Sequence, residues 1–353
     1  METKVYALTG NPEEDREAIS LAGQVIRSGQ LAAIPTETVY GLAGDALNPG
    51  SASRIYEAKG RPSDNPLIVH IAEIQALEKI ARDISPKALE LARRFWPGPL
   101  TMIFPKKDVV PLETTGGLDT VAVRMPAHEA ALGVIRAAGG YVAAPSANRS
   151  GRPSCTTAEH VLEDLNGKIG LILDGGPVGI GLESTIVDLT GRLPCLLRPG
   201  FISLKQLEEV LGEVETDPAV KGQLAPEQRP KAPGMKYRHY APRGRLTVVS
   251  GTPEAVAGLV NRLTEEALSR GENPAVLASS ETAGLYRCKN VLEVGSRARE
   301  SEIAHSLFAM LRRADELEAD PIFAEEFDTP QLGGAVMNRL MKAAGFHRIK
   351  ASE

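Results

Sequence analysis

The 353-residue chain has few cysteines and no long apolar run. Cys155, Cys195 and Cys288 are odd in number, far apart and without CxxC spacing, so the sequence predicts neither a disulfide framework nor a zinc site. The first residues lack a basic start followed by an apolar run, and no stretch reaches the roughly 18 apolar residues that a membrane helix needs. We therefore expect a soluble protein of the reducing cytoplasm.

Several signatures of nucleotide-binding and hydrolytic enzymes are also missing. The chain contains no GxxxxGKS/T loop, HExxH, GxSxG or kinase signature, so any nucleotide site is of another kind. The fragment GIGLES carries only part of a dinucleotide fingerprint and precedes a predicted strand where that motif precedes a helix. The sequence therefore excludes the commonest phosphate-binding loops.

Charge of either sign is not in large excess. The 40 basic and 45 acidic residues give a formal net charge of -5, which argues against a nucleic-acid footprint over the whole surface but allows a local basic cleft. Glu37, Asp45, Asp64 and Glu183 lie in separate turns without the spacing of a metal cage, so we expect capping or surface acids. We predict no protein metal site, and any Mg²⁺ would arrive with phosphate.

The pattern of apolar residues predicts two α/β domains joined by a linker. Residues 1–211 alternate helices with many short strands, which indicates one large sheet. Residues 212–245 contain five prolines and no sustained period, as expected of a linker. Residues 246–353 repeat the alternation on a smaller scale and predict a three-layer α/β unit.

Two motifs near the start of the chain place polar groups at predicted strand ends. PTETVYGL carries the hydroxyls of Thr36 and Thr38, which either line a ligand site or cap a turn. KGRPSDNP holds Lys59, Arg61 and Asn65 in a Gly/Pro loop that is suited to phosphate oxygens or is a solvated basic loop. The strand LIVHI that follows ends in a histidine, either a core residue or a ligand contact.

Later motifs add further donors. TVAVRMP puts Thr120 and Arg124 on one face of a strand, where they can hold a carboxylate unless the arginine simply reaches water. APSANRSGRPS is rich in hydroxyls and exposed amides that form anion-binding nests. The candidate donors of this loop are Ser146, Asn148 and Ser154. Two further candidates come later: Ser184 at the start of a predicted strand, and Arg198 after another apolar strand.

Seven segments of the chain, which include the motifs above, occur in the order found in one known family. PTETVYGLAGDA, KGRPSDNPLIVHI, FWPGPLT, VAVRMPAH, APSANRSGRPS, ESTIVDL and LLRPG span about residues 10 to 210, and the chain resembles the threonylcarbamoyl-AMP synthase family. APGMKYRHYAP and the distal unit resemble the two-domain form. The resemblance implies a YrdC-like catalytic domain with a twisted mixed sheet, plus a smaller Rossmann-like three-layer α/β domain.

The resemblance also implies a reaction. L-threonine, bicarbonate and ATP would give L-threonylcarbamoyl-AMP and pyrophosphate, the first stage of threonylcarbamoyladenosine formation in tRNAs reading ANN codons. A partner transferase would then modify the tRNA, so no stable binding of nucleic acid is expected. Two alternatives stay open: a carbamoyltransferase that forms a carbamoyl-adenylate, and an RNA-binding factor without catalysis.

The family's functional residues fall on matching positions of this sequence. The L-threonine pocket implied by the resemblance consists of Thr38, His70, Arg124, Ala144 and Ser184. The implied ATP site consists of Arg61, Asn65, Thr120, Ser146, Ser154, Arg198 and Tyr237. The resemblance also implies that the linker, residues 212–245, acts as a lid in which Tyr237, or alternatively Tyr240, covers the nucleotide. Lys59 and Arg61 would offset the charge that develops on the phosphates during catalysis.

Overall fold

A computed structural model of the chain describes residues 2–222, 229–236 and 239–352. The described residues form two compact units. One unit comprises residues up to 150 and from 154 to 236, and the other comprises residues 151–153 and the described residues beyond 236. The domain limits drawn from the sequence at 211 and 246 stay predictions, whereas the packing places the end of the first unit at Lys236.

The described part of the first unit is built on an 11-stranded mixed sheet flanked by helices. Its strands are β1 (Lys4–Ala7), β2 (Ala32–Ile34), β3 (Gly41–Asp45), β4 (Ile68–His70), β5 (Leu100–Pro105), β6 (Thr120–Arg124), β7 (Val142–Ala143), β8 (Leu171–Asp174), β9 (Thr185–Asp188), β10 (Cys195–Arg198) and β11 (Glu215–Thr216). Its helices are α1 (Pro12–Arg27), α2 (Pro49–Lys59), α3 (Leu77–Ile80), α4 (Pro86–Phe95), α5 (Glu129–Ala137), α6 (Ala158–Leu165) and α7 (Leu204–Leu211).

The strand order brings distant sequence segments side by side. The order is β1-β8-β2-β3-β7-β4-β6-β5-β9-β10-β11, with parallel and antiparallel neighbours mixed. In this arrangement β4 and β6 are parallel, so His70 lies beside Arg124, and antiparallel β5 places Thr101 on the other side of that arginine. The predicted single large sheet is confirmed, and its register gathers the polar strand ends.

Helices cover both faces of the first half of this sheet. Leu31 and Ala33 pack with α2, α4, α6 and α7, whereas Ala32 and Ile34 pack with α1 and α5. Adjacent residues of a strand point to opposite faces, so this division gives helix layers on both sides. Helix α1 also has local start signals: Asn11 caps it through its side chain, and Pro12 occupies the first turn.

Part of the predicted linker covers the sheet instead of connecting two domains. Ala219, Ala232 and Met235 pack on apolar residues of β4, β5, β6, β9 and β10. In addition, β11 pairs with β10, and a 3₁₀ helix follows at Pro218–Val220. The described residues between 212 and 236 therefore belong to the first unit, because three of them bury apolar surface of its sheet.

The second unit contains a five-stranded parallel sheet in the described residues. Its strands, in the order β14-β13-β15-β12-β16, are β12 (Leu246–Ser250), β13 (Ala275–Ala278), β14 (Asn290–Glu293), β15 (Ile322–Glu325) and β16 (Arg348–Lys350). Its helices are α8 (Pro253–Ser269), α9 (Glu300–Glu316) and α10 (Gly333–Ala343). The predicted α/β class is confirmed for both units.

None of the helices in the described residues is both long enough and apolar enough to cross a membrane.

Candidate functional site

The candidate site lies in the first unit, where β4 and β6 end and β5 and β9 begin. The loop between β2 and β3, which contains Thr36 to Val39, reaches the same place. Its backbone is tied to the loop before β9, since Ile180 and Gly181 donate N–H bonds to the carbonyl oxygens of Glu37 and Thr38. Strand ends and loops thus supply the polar groups, while the sheet fixes their positions.

Arg124 and Glu37 form a buried ion pair at the centre of this group. Arg124 Nη2 lies 2.7 Å from Glu37 Oε1, and only 5% and 13% of the two side chains are exposed. The geometry of this ion pair is not that of a hydrogen bond, and neither oxygen of Glu37 accepts a hydrogen bond from a described residue. Arg124 Nε donates to Gly98 O at 3.3 Å, which anchors one side of the guanidinium.

His70 is a neutral imidazole beside this arginine. Burial lowers its pKa to about 3, and the charge of Arg124 acts in the same direction. Its Nδ1 lies 3.2 Å from the carbonyl oxygen of Ile68, where it donates as the protonated nitrogen of the neutral ring. The other ring nitrogen is then an acceptor, which suits a ligand hydroxyl.

Ser184 and Arg198 extend the group along β9 and β10. Ser184 Oγ shares a hydrogen bond of 2.8 Å with Thr101 Oγ1 and accepts another from Arg198 Nη2 at 3.2 Å. Arg198 Nε donates to Ser184 O at 3.0 Å, and its Nη1 donates to Pro233 O at 3.4 Å. Pro233 belongs to the segment predicted as lid, so this arginine connects the site to that segment.

Lys59 is the buried cation at the end of α2. Its Nζ donates to the carbonyl oxygens of Ser146 and Asn148, each at 2.5 Å. Burial, together with the smaller effect of the neighbouring charge of Arg61, lowers the pKa of Lys59 to about 7. Gly60 ends the helix in the left-handed conformation, with φ at +61°, so the chain turns sharply between the two basic residues.

Arg61 holds its own loop closed. Its Nη2 donates to Pro66 O at 3.0 Å, and both its Nε and its Nη2 lie 3.3 Å from Asn65 O. Asn65 is buried, yet its side-chain Oδ1 accepts no hydrogen bond from a described residue. A buried polar atom without a partner is uncommon and is satisfied when a ligand supplies the missing group.

The SANRSGRPS loop contacts Lys59 through the carbonyl oxygens of Ser146 and Asn148. Ser146 Oγ donates to Asn148 Oδ1 at 2.6 Å, and Ser154 Oγ donates to Glu183 Oε1 at 2.5 Å. The charge of Glu183 also acts on Lys59, which places the loop, the lysine and this acid in one neighbourhood. Ser146 and Asn148 are therefore bonded to each other in this structure, whereas Ser154 is bonded to Glu183 outside the loop.

The other predicted residues have varied positions. Thr38 is buried, and its hydroxyl lies 2.9 Å from that of Thr36. Ala144 follows β7 and donates its N–H to Ile68 O, while Thr120 begins β6 at the end opposite Arg124. Tyr237 lies outside the described residues. Tyr240 is buried in the second unit, with its ring 5.1 Å from that of Phe308.

Two acids were misjudged from the sequence. Glu37 and Glu183 are not surface or capping acids, because the first pairs with Arg124 and the second accepts from Ser154 inside the fold. Asp45 does cap a turn through Leu47, and the half-exposed Asp64 lies 3.7 Å from Lys236. The signal in the sequence for the role of Glu37 is its position between Thr36 and Thr38, because its partner Arg124 is far along the chain.

The arrangement combines two kinds of recognition. One side offers a buried guanidinium with a neutral imidazole and a hydroxyl, which suits a small polar carboxylate. The other offers two basic side chains and a hydroxyl-rich loop, which suits phosphate oxygens. The described residues contain no group of three or more His, Cys, Asp or Glu side chains that could hold a metal ion.

Two family models match successive parts of the chain. A model described as "Telomere recombination" (Sua5_yciO_yrdC) matches residues 24–200, and one described as "Threonylcarbamoyl-AMP synthase, C-terminal domain" matches residues 202–345. Together they cover both units.

Similar proteins and structures agree with these models. A threonylcarbamoyl-AMP synthase of Pyrococcus abyssi is 50% identical over 94% of this chain and 95% of its own length, and one of Bacillus subtilis is 48% identical over 94% of each chain. The crystal structure of P. abyssi Sua5 complexed with L-threonine matches with a TM-score of 0.91 at 46% identity and covers all of both chains.

Proposed function

Because the chain belongs to the threonylcarbamoyl-AMP synthase family, we propose that it joins L-threonine, bicarbonate and ATP to give L-threonylcarbamoyl-AMP, pyrophosphate and water. It is thus an enzyme of the nucleotidyltransferase type. The product is the activated donor for threonylcarbamoyladenosine in tRNAs reading ANN codons. A separate transferase uses this product, and we expect both steps in the cytoplasm.

The observation that carries this proposal is the buried Arg124 with its polar neighbours. A small carboxylate can reach a guanidinium that is anchored on one side by Gly98 O. His70 offers a neutral ring nitrogen, and Ser184 offers a hydroxyl close by. A similar protein, P. abyssi Sua5, has a crystal structure described as a complex with L-threonine, which supports L-threonine as the ligand. We assign Thr38, His70, Arg124, Ala144 and Ser184 to this amino-acid pocket.

The nucleotide side is proposed to follow from the basic and hydroxyl-rich loops. Asn65 has an unsatisfied buried Oδ1, and Arg198 already links Ser184 to the lid segment at Pro233. The proposed ATP site comprises Arg61, Asn65, Thr120, Ser146, Ser154, Arg198 and Tyr237. Magnesium is proposed to enter with the ATP phosphates. The burial of Tyr240 in the second unit favours Tyr237 as the lid residue.

The chemistry proceeds through a carbamate. The ammonium of threonine first loses a proton to water. The resulting amine combines with bicarbonate and releases water, and the carbamate oxygen then attacks the α-phosphorus while pyrophosphate leaves. The protein needs no covalent nucleophile for this sequence. Lys59 and Arg61 stabilise the charge on the phosphates, because fixed cations in a buried site act without reorganisation. The pKa of Lys59, at about 7, rises when phosphate charge arrives beside it.

The two alternatives raised from the sequence predict different behaviour. A carbamoyltransferase would consume carbamoyl phosphate, and an RNA-binding factor would lose affinity steeply with salt. The high identity to curated synthases over nearly the whole chain favours the synthase over both.

Pyrophosphate release by the purified full chain tests the proposal. The assay contains ATP, Mg²⁺ and bicarbonate, with L-threonine, L-serine or carbamoyl phosphate as the variable component. Release that depends on both threonine and bicarbonate supports the synthase. Release with carbamoyl phosphate alone would support the carbamoyltransferase, and no release in any mixture would contradict an independent synthase.

The phosphate assignment is tested in the same assay. Arg61→Ala removes a charged contact and should lower the rate roughly tenfold to a hundredfold, because such a contact is worth on the order of 1.5–3 kcal/mol. Arg82→Ala is the matched control, since this arginine is exposed on the same unit. An unchanged rate for Arg61→Ala would make the phosphate assignment wrong.

A further inference from the structure

Glu37 is the one group at the amino-acid pocket that the assigned residues leave unexplained. Its carboxylate is buried, it lies 2.7 Å from Arg124, and neither of its oxygens accepts a hydrogen bond from a described residue. Buried carboxylates ordinarily receive several hydrogen bonds, because an unsatisfied one bears the full cost of lost hydration. A carboxylate left in this state is poised for donors that a ligand brings.

We propose that Glu37 binds the ammonium group of the amino-acid substrate. Before the substrate binds, Glu37 pairs with Arg124 at the position that the substrate carboxylate then takes. This inference rests on the proposed function, because it takes L-threonine as the ligand. Glu37 is then a substrate-binding residue in addition to those assigned above, and the site is specific for zwitterions.

The charges of the pocket make this exchange favourable. A ligand with a carboxylate but no ammonium group would displace Glu37 from Arg124 and leave Glu37 as a buried anion without a partner, which is strongly destabilising. A zwitterion avoids that penalty: its carboxylate takes the place of Glu37 on Arg124, and its ammonium takes the place of Arg124 on Glu37. Every buried charge stays paired, and the three N–H donors of the ammonium satisfy oxygens that now accept none.

The backbone keeps Glu37 in position for this role. Ile180 N donates to Glu37 O at 2.8 Å, and the hydroxyls of Thr36 and Thr38 on either side are bonded to each other. The loop is therefore fixed, and the exchange requires movement of side chains only. His128 also feels the charge of Glu37, but burial is the larger effect and lowers the pKa of this histidine, which keeps it neutral. It thus does not compete as a cation.

Isothermal titration calorimetry on the full chain tests the proposal through a change in ligand preference. The ligands are L-threonine and 2,3-dihydroxybutanoate of matching stereochemistry, which carries a hydroxyl where threonine carries its ammonium. All titrations contain α,β-methylene-ATP, so that a requirement for nucleotide does not hide binding. The proteins are the native chain, Glu37→Gln, and the control Glu57→Gln, which changes an exposed carboxylate of the same unit.

The native chain and the control should prefer threonine strongly. In Glu37→Gln we expect threonine to bind about tenfold to a hundredfold more weakly, because a charge-assisted contact is lost. The dihydroxy acid should bind more tightly to this variant than to the native chain, because the competitor for Arg124 has lost its charge. The two ligands therefore respond with opposite signs, which a structural defect cannot produce.

Each other outcome counts against the proposal. If both ligands weaken equally in Glu37→Gln, or neither changes, Glu37 does not bind the ammonium, while threonine binding by the native chain would leave the proposed function intact. If the native chain binds no threonine, both proposals fail. Should Glu37→Gln not fold, as judged by circular dichroism, Glu37→Asp replaces it: a retained charge on a shorter arm should preserve the preference for threonine but weaken it.

Discussion

Two buried carboxylates in this protein each meet an arginine, and they differ in how fully they are hydrogen-bonded. In the second unit, Glu325 accepts from Ser279 N and Oγ at 3.2 Å, from Tyr286 OH at 2.6 Å, from Arg297 Nη2 at 2.8 Å and from Thr282 Oγ1. In the first unit, the oxygens of Glu37 accept no hydrogen bond from the described residues and have an ion pair with Arg124.

The difference separates a structural acid from one that awaits a ligand. The five donors around Glu325 offset the free-energy cost of removing its carboxylate from water, and they tie β13 and β15 together at their ends. The pair of Glu37 and Arg124 is also largely buried, but its hydrogen bonding is incomplete, so the remaining bonding capacity of Glu37 is available to a substrate. The same chemistry therefore stabilises one unit and equips the other for binding.

The largest effect is expected from Arg124→Ala. Truncating one partner of a buried charge pair removes the carboxylate contact of the substrate and strands Glu37, at a cost of about 3 kcal/mol or more. Catalytic efficiency for threonine should fall by about a hundredfold or more. Steady-state pyrophosphate release at varied threonine measures this, and an unchanged KM for threonine would contradict the role of Arg124.

Glu325→Ala should act on stability instead. The variant leaves four donor residues without their acceptor, and we expect the free energy of unfolding of the second unit to fall by about 3 kcal/mol. Glu326→Ala is the control, because its pair with Arg348 is partly exposed, with 49% of Arg348 and 27% of Glu326 accessible, and should be worth less than about 1 kcal/mol. Native-state hydrogen exchange in β15 measures both, and equal effects would contradict the structural role of Glu325.

The sequence alone could predict elements but not these partnerships. Helix α8 forms over Pro253–Ser269, where a capping threonine, an N-terminal proline and an apolar period all indicate a helix in the sequence. Strand β3 has no such local signal, since GLAGD holds two glycines and forms a strand only by pairing with β2 and β7. Local pattern suffices where local preference and tertiary packing coincide.

The site was predicted unevenly for the same reason. Lys59, Arg61, Arg124 and Arg198 stand out in sequence as cations in turns or at strand ends. Glu37 does not, because an acid in a turn is ordinarily exposed, and its burial depends on an arginine brought beside it by the order of strands. The family resemblance supplied residues that local patterns left ambiguous, such as Ala144, which has no polar side chain.

A third test concerns pH and the neutral His70 beside Arg124. Its pKa is about 3 in the folded protein and ordinarily about 6.5, so the unfolded chain binds the proton more readily between these values. This contribution to stability is complete above about pH 6.5 and is lost as the pH falls towards 3. Down to pH 5 the loss is about 2 kcal/mol, since one unit is worth about 1.4 kcal/mol.

Urea unfolding of the native chain and His70→Gln at both pH values isolates this contribution. The variant cannot take up a proton at that position, so its stability should fall less between pH 6.5 and pH 5 than that of the native chain. Carboxylates that titrate in the same range affect both proteins alike and cancel in the comparison. Parallel curves for the two proteins would mean that His70 is not held neutral by burial.

The smallest expected effect sharpens the contrast between the two acids. Tyr286→Phe removes one of the donors of Glu325 without changing the shape of the ring, and burial together with Glu325 raises the pKa of the tyrosine, so the native hydroxyl is always protonated. We expect the second unit to lose about 1.5 kcal/mol, the usual value for a hydrogen bond to a charged group. Native-state hydrogen exchange in β15 again measures it. A loss near zero would mean that Glu325 has more donors than it needs, and full hydrogen bonding would then no longer explain why this acid is structural while Glu37 is free to bind.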